Sequence, residues 1–300
     1  MEAILEVKGL RKSYGKVDVL KGIDFDIKRG EVFGLVGRNG AGKSTLIHAI
    51  AGIVHKTSGA FTIFGQTDDQ LNRVKRQIGV MPDVSNLYEH MKGLHFLKYM
   101  AELTEDKRPK KELIELMHSV GLHGAEYRKI KDYSFGMRKK LSIAQALLGK
   151  PEFIILDEPT SGLDPESAIH IRKLVESLKK SGKTIMLTSH NLDEIDKVSD
   201  RVAILSEGVI KKLDTPRALK QEQSESAQIT VITKPKLSLE RIEQLPFQMV
   251  FDHEIEEGVV LHAEKKDEVA DLVAYLVQEE YKVYEIKTRE KTLEEVFMDV

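Results

Sequence analysis

Gly37-Arg38-Asn39-Gly40-Ala41-Gly42-Lys43-Ser44-Thr45 decides the fold. It follows the apolar run Glu31-Val32-Phe33-Gly34-Leu35-Val36, which reads as a strand, and it opens a stretch to Ile50 that reads as a helix. Three glycines let the backbone turn tightly enough to aim several N–H groups at one anion, and the helix that begins at Lys43 adds the positive end of its dipole. In this strand–loop–helix context the segment is a phosphate-binding loop: Lys43 reaches the β- and γ-phosphates of a nucleotide and the Ser44 hydroxyl ligates Mg²⁺. The candidate nucleotide site is therefore Gly37, Asn39, Gly40, Ala41 and Gly42 with Lys43, Ser44 and Thr45.

Upstream, short alternating runs at 3–7, 17–20 and 23–27, with turns at Tyr14-Gly15 and Lys21-Gly22, read as antiparallel strands of a side sheet. Tyr14 falls in the loop between two of them, where an aromatic ring either stacks on adenine or packs half-exposed. Downstream, 59–65 and 78–83 read as strands, and from 84 to 130 the pattern changes to helix. Leu94, Leu97, Met100 and Leu103 make one apolar stripe there, and Leu113, Leu116, Met117 and Val120 a second, so the segment reads as a helical subdomain. His90, His95, His118 and His123 fall in it without an i, i+4 partner carboxylate, and no metal site is expected.

Ser134 is placed to cap a helix over 134–149, which Pro151 stops. Phe153-Ile154-Ile155-Leu156 is a wholly apolar run of the kind buried on both faces of a parallel sheet, and it delivers Asp157-Glu158 at its C-terminal end, where ligands bind in open α/β sheets. A helix over 166–180, a strand over 184–188 leading to Ser189-His190, a helix over 192–198 and a strand over 201–205 continue the alternation, which argues a doubly wound, mostly parallel sheet.

With 300 residues, the chain divides into a domain over 1–220 and a smaller one over 227–300, joined by the polar, aperiodic stretch 221–226. The smaller one reads β-α-β-β-α-β, a small α+β domain of ferredoxin-like order, closed by a helix over 293–298. Composition (41% hydrophobic, 31% charged, net charge −2) is that of a soluble globular protein with no general attraction to nucleic acid or anionic lipid. Cysteine is absent, which excludes disulfides, thiolate metal sites and a cysteine nucleophile. The N-terminus does not read as a signal peptide, and no run approaches the ~18 apolar residues of a membrane span, so any span is expected on another chain. Far downstream of Lys43, Asp157 fits the carboxylate that holds Mg²⁺ in phosphate-loop nucleotidases, and Glu158 beside it is the candidate base. No Asn-Lys-x-Asp guanine signal is present.

Taken in order, these residues resemble the ATP-binding subunits of ATP-binding-cassette transporters across residues 1–220. Residues 37–45 match the Walker A loop, 153–158 Walker B and 161–164 the D-loop. His190 falls where the family keeps a switch histidine on the γ-phosphate, and Tyr14 matches its adenine-stacking aromatic. The resemblance implies an α/β P-loop NTPase cassette with an antiparallel side sheet and a helical subdomain. It further implies ATP and Mg²⁺ as ligands, and ATP hydrolysis that uses Lys43, Glu158 and His190.

Two motifs depart from the pattern. The signature Leu-Ser-Gly-Gly-Gln stands here as Tyr133-Ser134-Phe135-Gly136-Met137; Ser134 and Gly136 still offer a hydroxyl and a close backbone approach at a helix N-terminus for a partner's γ-phosphate. The Gln that normally follows a strand and joins Mg²⁺ is replaced by Asp83, whose carboxylate can ligate Mg²⁺ but adds negative charge beside the γ-phosphate. The variant signature and Leu293-Glu294-Glu295-Val296-Phe297 look like the branch that serves separately encoded membrane subunits, often exporters of antibiotics, lipids or ions. By the same resemblance, the chain is expected to form a head-to-tail homodimer or heterodimer, to have an integral membrane permease as partner, and to lie in the cytoplasm at the inner face of the membrane. Soluble cassettes that act on ribosomes or nucleic acid are the alternative. These usually carry two cassettes or a long coiled-coil insertion, whereas this chain has one Walker A and a short insert without heptads, so no nucleic acid is expected.

Overall fold

The computed structural model describes residues 2–222, 227–247, 249–263, 267–289 and 292–298, arranged in two compact units, Met1–Pro216 and Arg217–Val300. Of the expected linker, 223–226 lie outside the described residues, while 221 and 222 end a helix.

In the first unit β1 (Ala3–Tyr14) and β2 (Val17–Lys28) form one long antiparallel hairpin rather than three short strands. Gly22, read as a turn, lies inside β2 at φ 104°, where the register slips by one residue between the pairs Leu10–Ile23 and Arg11–Lys21. A glycine at positive φ within a ladder makes a bulge that bends the strand without ending it. After β3 (Val32–Val36) come α1 (Lys43–Ile50), β4 (Ser58–Ile63), β5 (Gln66–Thr67) and β6 (Ile78–Val80). The helices α2 (Gly93–Leu103) and α3 (Lys110–Ser119) occupy the region read as helical. Leu94 and Leu97 are buried as expected, but Leu103, the last residue of α2, is exposed, and Phe96 and Ala101 fill the core instead. The apolar stripe runs out where the helix does.

The rest of the unit is α4 (Phe135–Ala146), β7 (Phe153–Leu156), α5 (Pro165–Lys180), β8 (Thr184–Ser189), α6 (Leu192–Val198), β9 (Arg201–Ser206) and β10 (Val209–Asp214), followed by α7 (Pro216–Glu222). One sheet runs β2-β1-β4-β5, antiparallel; the other runs β10-β9-β3-β8-β7-β6, parallel except for the edge strand β10. Every residue of β3, β7 and β8 is buried, because the parallel sheet packs between a core shared with α1 and the antiparallel sheet and the helices α4, α5 and α6. Burial of each large aliphatic side chain there contributes roughly 1.5–3 kcal/mol, and this anchors the loops at the strands' C-terminal ends.

The second unit holds β11 (Ala227–Lys234), α8 (Leu239–Glu243), β12 (Met249–Ile255), β13 (Gly258–Ala263), α9 (Asp267–Gln278), β14 (Lys282–Arg289) and α10 (Leu293–Met298). Its antiparallel sheet has the order β12-β13-β11-β14, and Ile229, Val231 and Leu261 pack with Leu272 and Leu276 of α9 in a core of their own.

Candidate active site

Three strand ends meet at one point. The end of β3 passes into the glycine loop with Gly37 so close to β9 that a Cβ on it would lie 2.5 Å from the carbonyl of Leu205. Gly40 and Gly42 adopt φ 83° and 110°, and Gly42 is also pressed against Leu20, so both the turn and its packing need glycine. The loop therefore wraps around its own lysine. Lys43 is buried, its Nζ donating to the carbonyl of Gly37 at 2.6 Å and standing 4.0 Å from Glu158 Oε1. Asn39 and Gly40 are exposed at the loop crest, Ala41 is buried, and Thr45 is half-buried on the first turn of α1.

The end of β7 supplies the carboxylates. Ser44 Oγ donates to Asp157 Oδ2 at 3.1 Å, and Thr188, at the end of β8, donates to Asp157 Oδ1 at 2.5 Å. The same Thr188 oxygen accepts the backbone N–H of Glu158 at 2.9 Å. Glu158 sits at φ 49°, a left-handed conformation that costs a non-glycine residue about 1–3 kcal/mol and persists only where neighbours hold it. Its side chain bridges Lys43 and His190, whose Nδ1 lies 2.7 Å from Glu158 Oε2. Ser44, Asp157, Thr188, Glu158 and His190 thus form one hydrogen-bonded chain along the ends of three strands. Ser44 and Asp157 present hard oxygens within reach of one another, the donor set that Mg²⁺ takes, and the residues fit that ion.

Tyr14 ends β1 beside the Gly15 turn with its ring about half exposed (48%) and Lys12 Nζ 4.6 Å above it. Ser134 caps α4 by accepting the N–H of Met137 at 3.2 Å. Gly136 lies against Leu163, which a Cβ would approach to 3.1 Å, and Phe135 covers Gly162. No side-chain hydrogen bond among the described residues joins Tyr14, Asp83 or Ser134 to the P-loop or to Asp157. Asp83 Oδ1 accepts the N–H of Ser85 at 2.8 Å and caps a short turn over Val84–Asn86. The Ser85 backbone and hydroxyl hold its carboxyl below the usual range. An Asp after Pro82 makes such a turn from local geometry alone.

Two residues of the site are illegible in the sequence. Thr188 is one; β8 also carries buried hydroxyls at Thr184 and Ser189, and nothing in the sequence singles out the one at Thr188. Lys139 of α4 is the other: it is buried and donates to the carbonyl of Glu158 and, at 2.6 Å, to that of Ser161. Burial pushes its ammonium below the ordinary lysine value, against the pull of Glu158, Asp157, Glu194 and Asp83.

Residues 20–161 match the ABC transporter family. The linearmycin resistance ATP-binding protein LnrL of Bacillus subtilis (strain 168) is 33% identical over 305 residues, covering 99% of this chain and 98% of its own. The lantibiotic transport ATP-binding protein SrtF of Streptococcus pyogenes is 36% identical over 207 residues, 69% of this chain and 89% of its own. Among solved structures, an ATP-binding subunit of an ABC transporter superposes with a TM-score of 0.67 at 30% identity, over 73% of this chain and 92% of that one. A dimeric ATP-binding cassette in a post-hydrolysis state with ADP and Pi shares the fold, with a TM-score of 0.66 at 24% identity over 70% of this chain and 98% of that one. On these matches, and with the P-loop and strand-end carboxylates in place, the chain belongs to the ATP-binding proteins of ABC transporters, a family of ATPases.

Proposed function

We propose that this chain hydrolyses ATP to drive export through a separate integral membrane permease. The P-loop binds the phosphates, with Lys43 on the β- and γ-phosphates and Tyr14 against adenine. Ser44 and Asp157 are the residues that hold Mg²⁺, which when bound neutralises charge on the phosphates. Glu158 accepts the proton of the attacking water, and His190 orients Glu158 and meets the γ-phosphate. The observation that supports this reading is the hydrogen-bonded chain Ser44–Asp157–Thr188–Glu158–His190, which sets a hydroxyl, two carboxylates and a histidine side by side next to Lys43 of the P-loop.

Two copies work head to tail, Ser134 and Gly136 of one closing on the nucleotide of the other. The relatives named for lantibiotic transport and linearmycin resistance support export, and with it a place at the cytoplasmic face of the membrane. Among the described residues no helix is long and apolar enough to cross a membrane. The test is Glu158→Gln: the variant keeps ATP binding, loses about 10²–10⁴-fold in turnover, and accumulates an ATP-bound dimer on a sizing column. Wild-type turnover in that variant removes Glu158 from the mechanism.

A further inference from the structure

Glu158 is held at both polar atoms of its backbone. Thr188 Oγ1 takes its N–H at 2.9 Å, and its C=O accepts from Lys139 Nζ and, at the longer distance of 3.3 Å, from the Ser161 N–H. A non-glycine residue with its backbone in the left-handed region relaxes toward extended or right-handed backbone when its tethers are cut, and that rotation swings the Glu158 carboxylate away from Lys43 and His190. The second bond of Lys139, to Ser161 at 2.6 Å, ties the same ammonium to the loop after Pro159. Phe135, where the family signature has Gly, lies with its ring 5.5 Å from Lys139 Nζ and fills the space that a Cβ on Gly162 would need, coming to 2.8 Å of it. The first turns of α4 therefore grip residues 158–162 at two points. Loop carbonyls are readily satisfied by water, whereas a buried ammonium carries a desolvation cost, so stability alone is a poor reason for a lysine here.

We propose that Lys139 is a positioning residue for ATP hydrolysis: it holds Glu158 in its left-handed conformation and couples the Ser134 end of α4 to the loop that follows Glu158. In the head-to-tail dimer Ser134 faces the partner's nucleotide, so this lysine links the state of one site to the base of the other. The proposal rests on the reading of Glu158 as the base.

The experiment is steady-state ATPase kinetics on the full chain for wild type, Lys139→Met, Lys139→Arg and Glu158→Gln, together with nucleotide binding to each. Misplacing a catalytic group by about 1 Å costs on the order of 10²-fold, so Lys139→Met is expected to lose 10- to 100-fold in kcat with KM and nucleotide affinity unchanged. Lys139→Arg, which keeps charge and two donors, recovers most of that loss. An active Glu158→Gln overturns the premise, and the proposal with it. With Glu158→Gln inactive, wild-type kcat in Lys139→Met overturns the proposal alone, as does an equal fall in both lysine variants accompanied by a raised KM. If Lys139→Met does not fold, Lys139→Gln carries the same test, and wild-type kcat in it overturns the proposal.

Discussion

Thr188→Val separates the hydroxyl of Thr188 from its shape. Thr188 is entirely buried, donates to Asp157 at 2.5 Å and accepts from the Glu158 amide at 2.9 Å. Valine fills the same volume and offers neither bond. A hydrogen bond to a charged group contributes about 1.5–3 kcal/mol, and a buried donor left without a partner costs about 1–3 kcal/mol. Asp157 keeps its bond from Ser44, so the total loss falls in the lower part of the combined range, about 2.5–4 kcal/mol. Thr188→Ser keeps both bonds and deletes one methyl group, a loss of about 1 kcal/mol. For a unit of this size 1 kcal/mol moves the melting temperature about 2–4 °C, so Val lowers the first unit's transition by roughly 5–15 °C and Ser by roughly 2–4 °C. Scanning calorimetry of the intact chain reads the shift, and ATPase assays on the same samples should show Val reducing kcat well beyond Ser. A Val variant that melts at or above the Ser variant refutes the assignment of Thr188 as the anchor of both carboxylate residues.

Gly37→Ala forces a Cβ to 2.5 Å from the carbonyl of Leu205, backbone against backbone, so nucleotide binding measured by fluorescent ATP analogue should vanish; retained affinity would show that the loop can shift without cost. Asp83→Asn preserves the cap on Ser85, since an amide oxygen accepts the same bond, and the Mg²⁺ concentration for half-maximal ATPase should not move. A rise in that concentration would place Asp83 in the ion's shell. Asp106 is held below its ordinary value: burial raises it, but hydrogen bonds from Arg108 and the Gly149 amide outweigh that. A depressed carboxyl contributes stability above its unfolded value and loses it as pH falls through the folded one. The melting-temperature gap between wild type and Asp106→Asn should therefore be constant near neutrality and shrink below about the unperturbed 3.8; a gap that widens in acid contradicts the sign. Finally, Lys43→Ala and Ser134→Arg should each be inactive alone yet recover ATPase on mixing, because a mixed dimer holds one intact composite site. Normal activity of Ser134→Arg by itself would end the shared-site reading.

Most of this protein was legible in its sequence because the decisive features are local. A strand, a glycine loop and a helix are contiguous from Val32 to Ile50, the apolar run Phe153–Leu156 carries its two acids directly behind it, and the cap at Ser134 lies within one turn of the amide it serves. The order β-α-β-β-α-β of the second unit was equally local. Errors arose where a residue's role depends on what faces it across the chain. Gly22 reads as a turn until the opposite strand shows the ladder continuing past it, and Leu103 reads as core until the helix is seen to stop there. The tertiary structure alone brought Thr188 from one strand and Lys139 from a distant helix to the two ends of Glu158. The physical reason is that periodicity and motif spacing report which face of an element is apolar and which loop can fold tightly. A hydrogen bond between residues that are distant in the chain has no signature in either.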